Sequence, residues 1–144
     1  MAEVERFLKD MGGKIHAKIE KKGRLYFNVD NADIREIAEY LFVKMGCRLS
    51  TATAMEMYHG IEVLYHFSHD KTGQYFCPRV VIKDKKNPKV NSITSIVEGA
   101  IWIEREMFDL WGIEFIGHPR MEELLTLHHP NPDLKHPLRF KEVA

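Results

Sequence analysis

Three side chains in the last third of the chain, Glu104, Asp109 and His118, have the types needed for acid–base chemistry. Carboxylates and imidazoles exchange protons near neutral pH when burial or a neighbouring charge shifts their affinity, and a working site brings them together in a cleft. Glu104 stands apart for a second reason. Projected as a helix at about 100° per residue, the segment 95–111 gathers Ile96, Ala100, Ile103, Met107, Leu110 and Trp111 on one arc, widened by Val97, Ile101 and Phe108. Glu104 falls in the middle of that arc, between Val97 and Trp111. Burying a carboxylate unpaired costs several kcal/mol, so it must find donors or keep its proton. One reading is an internal clasp, in which Glu104 bonds Arg79, Arg139 or loop amides and fixes the tail. The other is a proton-transfer group with a raised pKa. Buried charges are normally paired and no neighbouring constellation completes a catalytic site, so the clasp is the expectation.

The opposite arc carries Glu98, Trp102, Arg105, Glu106 and Asp109, with Arg105 and Asp109, and also Trp102 and Glu106, four residues apart. A polar helical face is ordinarily solvated, yet a large aromatic among charges is more typical of the centre of an interface. The eight histidines invite a metal hypothesis. Zinc needs convergent ligands at short defined spacing, whereas His66 and His69 at a strand end, and the adjacent His128 and His129, point apart, so no metal site is expected. Cys47 and Cys77 form no CxxC pair and cannot assemble an iron–sulfur cluster by themselves. GxGxxG and GxxxxGK phosphate loops are absent. Tyr58, Tyr65 and Tyr75, and the alternating Met55 and Met57, read as strand residues, and the basic run KDKKNPK as a solvated loop with only weak affinity for anionic lipid.

The elements that position these residues follow from periodicity. Val4, Phe7, Leu8 and Met11 predict a first helix, stopped by Gly12-Gly13. Alternation on both sides of Lys22-Gly23 predicts a hairpin whose buried face carries Ile15, Ala17 and Ile19, then Leu25, Phe27 and Val29. After a cap at Asp30-Asn31, the stripe Ile34, Ile37, Ala38, Leu41, Phe42 and Met45 predicts a second helix ending at Gly46. Three strand-like runs follow, over 47–57, 61–67 and 74–83, turning at His59-Gly60 and Asp70 to Gly73. The third helix is expected over 95–111, with Ser95 and Glu98 as a capping box and Gly112 as its stop, followed by the extended piece GIEFIG. A short helix over 122–127 and a His- and Pro-rich tail complete the reading. This order predicts an α+β two-layer sandwich, a mixed and mostly antiparallel sheet with helices on one face. One domain over 1–144 is expected, with the signature helix and turn at about 94–120 and an extended tail at 128–144.

Charge and hydropathy narrow the class. Lys plus Arg and Asp plus Glu each total 21, and this neutrality suits a chain packed against others better than a nucleic-acid binder. No apolar run approaches the ~20 residues that span a bilayer. Two unpaired cysteines and no leader-like start lead us to expect a reducing, cytoplasmic setting, with any membrane link made through partners.

Read as a string, ITSIVEGAIWIEREMFDLWGIEFIGHP resembles the signature of the C-type subunit family of complex I, the NADH:quinone oxidoreductase. Members of that family also occur in related membrane-bound nickel–iron hydrogenases and dehydrogenases. The resemblance rests on Glu104, Arg105, Glu106, Asp109, Gly112, Ile113, Phe115, Gly117, His118 and Pro119, spaced without gaps, with Trp102 in the same helix. It extends more loosely to RLSTATAMEMYHGIEVLYHF and to the closing His136, Pro137, Leu138 and Arg139, where Phe140 separates Arg139 from Lys141. In all it covers roughly 24–142. It implies an α+β fold and a non-catalytic subunit of a peripheral arm, on the cytoplasmic side of the membrane. Its implied partners are a hydrogenase-like large subunit and a small iron–sulfur subunit. Iron–sulfur clusters, and nickel–iron where present, would sit in those partners. The shortness of the chain tilts this expectation toward an energy-converting hydrogenase or similar compact complex. The competing readings are a free-standing acid–base enzyme using Glu104, Asp109 and His118, and an adaptor sharing only the fold. On the subunit reading, replacing Asp109 or Arg105 should loosen assembly before altering any redox property.

Overall fold

A computed structural model describes residues 2–120 and 138–139. Helix α1 (Ala2–Met11) leads into strands β1 (Ile15–Lys21) and β2 (Arg24–Val29), and then helix α2 (Ile34–Glu39). Three longer strands follow, β3 (Arg48–Met57), β4 (Gly60–His69) and β5 (Gln74–Ile82). The described part closes with β6 (Lys89–Asn91), α3 (Ala100–Trp111) and β7 (Glu114–Ile116). The main sheet runs β1-β2-β5-β4-β3, antiparallel except where β2 lies parallel to β5, and β6 pairs in parallel with β7 as a separate ribbon. The helices cover one sheet face. This is the expected α+β sandwich.

Alternation explains the core. Leu25, Phe27 and Val29 of β2, Ile61, Val63, Tyr65 and Phe67 of β4, and Phe76, Val80 and Ile82 of β5 are buried on the face the helices cover. Phe7 of α1 inserts among Phe27, Tyr40 and Phe76, with ring centroids 5.0 to 5.9 Å apart. Ile34, Ile37 and Leu41 arrive from the second helical segment, and Val97, Ala100 and Met107 from around α3.

Several expectations are corrected. The first strand does not bury Ile15, Ala17 and Ile19 together: Ala17 takes φ 52° and the register slips between His16 and Ile19. One extra residue turns the following side chains over, so Ile19 pairs with Tyr26 on the open face and is half exposed. Helix α2 widens after Glu39 into a π turn over Tyr40–Lys44, with the Met45 amide donating to the Tyr40 carbonyl at 3.0 Å. That rotation brings Tyr40 inward, its hydroxyl donating to Asp10 Oδ2 at 2.6 Å, and turns Phe42 outward. Asp30 and Asn31 make no cap for it; Asn31 instead ties to Asn91, its Oδ1 accepting from the Asn91 amide at 2.6 Å. The polar run after β5 contains β6, a strand too short to show alternation. The short helix expected over 122–127 lies outside the described residues.

Candidate functional site

The third helix starts later than its periodicity suggests, at Ala100, because the chain before it is used elsewhere. Residues 93–97 form a tight turn, with the Ile96 and Val97 amides both donating to the Ile93 carbonyl, and no Ser95–Glu98 capping box forms. The turn buries Ile93 and Val97 and aims its N-terminal edge at the helix. There Glu104, fully buried, receives the Ser92 hydroxyl on Oε1 at 2.5 Å and the Ile93 amide on Oε2 at 3.0 Å. Ser92 is fixed in turn by the Thr94 amide, which donates to its Oγ at 3.1 Å. Of the two readings of Glu104, the clasp onto loop amides is the one built; neither Arg79 nor Arg139 is its partner. Arg79 lies against Glu62, and Arg139 bonds Glu56. Burial still outweighs these donors and the Arg35 guanidinium nearby, and pushes the Glu104 carboxyl up to about 7. Complete burial, with the same carboxylate nearby, raises the Tyr65 phenol well above its ordinary range, and its hydroxyl has no hydrogen-bond partner among the described residues.

Arg35, which sequence reasoning did not single out, locks the corner beyond α3. Its Nε donates to the Ser92 carbonyl at 2.8 Å and its Nη2 to the Ile116 carbonyl at 2.7 Å, tying α2 to the residue that follows β6 and to the end of β7. Gly112 ends α3 at φ 74°, its amide donating to the Phe108 carbonyl at 2.8 Å, as the stop signal predicts. Gly117 is needed twice over: φ is 90°, and a Cβ there would lie 2.8 Å from Arg35 Nη2. The turn carries His118 back onto the helix, where Nε2 faces the Ile101 carbonyl at 2.9 Å and Nδ1 accepts the Arg120 amide at 2.9 Å. These two contacts fit the Nε2–H tautomer. Ile113 and Phe115 are buried under the corner, and Pro119 is exposed just beyond it.

The charged arc needs correction. Arg105 and Asp109 are buried, and both are engaged within the chain. Both are interior groups, so replacing either one perturbs folding as well as any surface, and neither substitution isolates an assembly surface. Trp102 is 61% exposed, with Glu106 exposed beside it. His136 and Pro137 lie outside the described residues. Leu138 and Arg139 close the α3 end: the Leu138 amide donates to the Leu110 carbonyl at 3.1 Å, and Arg139 donates to Glu56 Oε1 at 2.5 Å, to the Trp111 carbonyl at 3.1 Å and to the Lys85 carbonyl at 2.6 Å. Lys85, from the supposedly solvated run, completes the cluster at 2.9 Å from Glu56 Oε2. Spacing alone does not foretell this cluster, because Glu56 reads as an ordinary outward residue of an alternating strand.

Glu104, Asp109 and His118 do not form a reaction site. The two carboxylates stand five positions apart on α3, which sets them about 140° apart around the axis. His118 meets the first turn of the helix, roughly 12 Å along the axis from Asp109. Three clefts described among these residues, beside α1, between β3 and α3, and at the β1–β2 end, are lined by none of the three. The thiols are equally unsuited to nucleophilic work. Burial pushes Cys47 up to about 12 and Cys77 up to about 11, although Cys77 Sγ lies 3.6 Å from His66 Nδ1. Among the described residues, no three His, Cys, Asp or Glu side chains could hold a metal ion, and no helix is long and apolar enough to cross a membrane.

The described residues thus define a small α+β domain in which Glu104, Arg35 and His118 brace one helix and its corner. The chain belongs to the respiratory-chain NADH dehydrogenase 30 kDa subunit family, whose model matches residues 27–143. It is 34% identical over 133 residues to the C-type subunit of the NADH-quinone oxidoreductase of Ruegeria sp. (strain TM1040), a match covering 83% of this chain and 65% of that relative. The match therefore spans just under two thirds of the relative's length. The fold is shared with the trypsin-resistant fragment of Nqo5, at TM-score 0.70 and 22% identity, covering 81% of this chain and 98% of the fragment. It is also shared with a chain of the membrane-bound sulfane sulfur reductase, an archaeal respiratory membrane complex, at TM-score 0.67 and 21% identity, covering 90% of this chain and 74% of that one.

Proposed function

We propose that this protein is a non-catalytic docking subunit of a complex I-like membrane oxidoreductase or energy-converting nickel–iron hydrogenase. It joins a hydrogenase-like large subunit to a small iron–sulfur subunit on the cytoplasmic side, holds no redox centre, and leaves iron–sulfur and nickel–iron chemistry to those partners. The observation that carries this reading is the family match across residues 27–143. The structural use of Glu104 and His118, as braces of a corner rather than walls of a cleft, supports it against the free-standing enzyme. The single domain expected over 1–144, with its signature at about 94–120, belongs to the same proposal.

A clamp of this kind acts through rigidity. The β6–β7 ribbon, α2 and α3 are joined by Arg35, Glu104 and His118, so their outer surfaces move as one body. A preordered surface loses little freedom on docking and holds its partners in fixed register. Electron tunnelling falls steeply with distance, so fixed register between centres in neighbouring subunits governs turnover without chemistry on this chain.

The test is purification of the chain, tagged at its own locus, from detergent-extracted membranes. Co-purification of a hydrogenase-like large chain and an iron–sulfur chain, with iron in the preparation, is expected. A stable monomer that turns over a small substrate by itself would overturn the proposal.

A further inference from the structure

We propose that Trp102, flanked by Glu98 and Glu106, is the anchor by which the chain seats a basic segment of a neighbouring subunit. This rests on the docking reading above and names the surface that reading requires. Most of α3 is buried or half buried, yet the indole of Trp102 is 61% exposed. It is not a loose side chain: the Arg105 guanidinium carbon lies 4.9 Å from the ring centroid, and Arg105 is itself buried, which holds the ring in one orientation. A rigid aromatic projecting from an ordered helix loses little conformational freedom when covered, the property of interface hot spots.

The chemistry of the occupant follows from the neighbours. Glu98 sits in the turn leading into α3 and Glu106 one turn beyond Trp102, roughly 6 Å along the axis. Both carboxylates are exposed, and no cation of the described chain is bonded to either. Arg105, the residue before Glu106, is buried against the Trp102 ring. Among the described residues the stripe therefore presents an aromatic plate between two exposed carboxylates that make no ion pair. A segment with Lys or Arg on either side of an apolar or planar residue is its complement. An anionic lipid surface would be repelled, and a second copy would set carboxylate against carboxylate. Continuing from Glu106, a groove of about 200 Å³ lies between β3 and α3, lined by Ala52, Ala54, Ile103, Met107 and Leu110 and by this chain's own Leu138, and beside Leu138 an apolar side chain of the same segment would seat.

The experiment uses the full chain in its native complex. Trp102 is replaced by the photo-crosslinking residue benzoylphenylalanine, and in parallel E98K/E106K is introduced. Crosslinks are expected to map to another subunit of the complex, within a few residues of Lys or Arg. E98K/E106K should recover at least tenfold less of that subunit while the purified chain melts as the wild type does. A crosslink to a second copy, to lipid or to an uncharged or acidic segment overturns the proposal, as does undiminished recovery with E98K/E106K. If the wild-type chain leaves the membrane with no other subunit, the docking reading fails as well. If it leaves with its partners but the crosslink and the charge reversal have no effect, only the stripe is wrong.

Discussion

Replacing Glu104 by Gln keeps the shape of the side chain and removes its titration. The amide oxygen can still accept the Ile93 N–H and the amide nitrogen can donate to Ser92 Oγ, so the clasp survives in neutral form. In the wild type the carboxyl ionises near 4.5 when the chain is unfolded but only at about 7 when folded, because burial outweighs its two donors. Between those values the folded chain keeps a proton that the unfolded chain has released. Raising pH through this window therefore removes stability; the full contribution is present below 4.5 and is gone above about 7. At about 1.4 kcal/mol for each tenfold change in proton affinity, the loss is roughly 3 kcal/mol, or on the order of 10 °C in melting temperature for a domain of this size. The assay is thermal and urea unfolding of both proteins from pH 4 to 8. Subtracting the Glu104→Gln curve cancels every contribution common to both proteins. The difference should fall with rising pH and level off above about 7. A flat difference, or a wild type that gains on the variant as pH rises, would refute the account of Glu104 as a carboxyl made reluctant to ionise by burial.

Gly117→Ala should cost about 1 to 2 kcal/mol, measured by urea unfolding, because a side chain at φ 90° is strained and its Cβ would crowd the Arg35 Nη2 that donates to the Ile116 carbonyl; an unchanged midpoint would show the corner to be soft. Arg139→Ala takes the guanidinium from the buried Glu56 and from two carbonyls and should destabilise by about 2 to 3 kcal/mol, with Arg139→Lys intermediate because it keeps the charge and loses the fork. Equal stability of the three proteins would count against the clasp at the end of α3. Cys47 and Cys77, buried and with thiol pKa values raised to about 12 and about 11, should react with iodoacetamide at pH 8 only as the chain unfolds. Rapid labelling of the native protein, followed by mass spectrometry, would contradict their burial.

What the sequence discloses, and what it conceals, follows from the range of the interactions. Periodicity locates three helices and the long strands because one face of each is buried, and that pattern is local. Glu104 is legible for the same reason, since a carboxylate on an apolar arc announces a buried bond. Its partners are harder to find. Ser92 and the Ile93 amide lie twelve and eleven residues away, beside a stretch whose helical spacing suggests more helix, and only the tertiary need to satisfy the acid diverts it. Arg35 and Glu56 give no local signal: an arginine among polar helix positions and a glutamate in an alternating strand look solvated until the chain returns to them from residues 57 to 83 positions away. Ile19 misleads because a bulge shifts the side-chain period by one residue, and nothing in the types of Ala17 and Lys18 marks it. The burial of Arg105 and Asp109 is hidden likewise, since a projection shows which way a helix face points but not what covers it.

The most direct trial of the docking account removes the gene and restores it. Membranes lacking this chain should lose donor-to-acceptor turnover together with the assembled peripheral arm, and the added-back chain, metal-free when purified, should restore both. Assembly and full turnover in its absence, or catalysis by the isolated chain, would contradict the account.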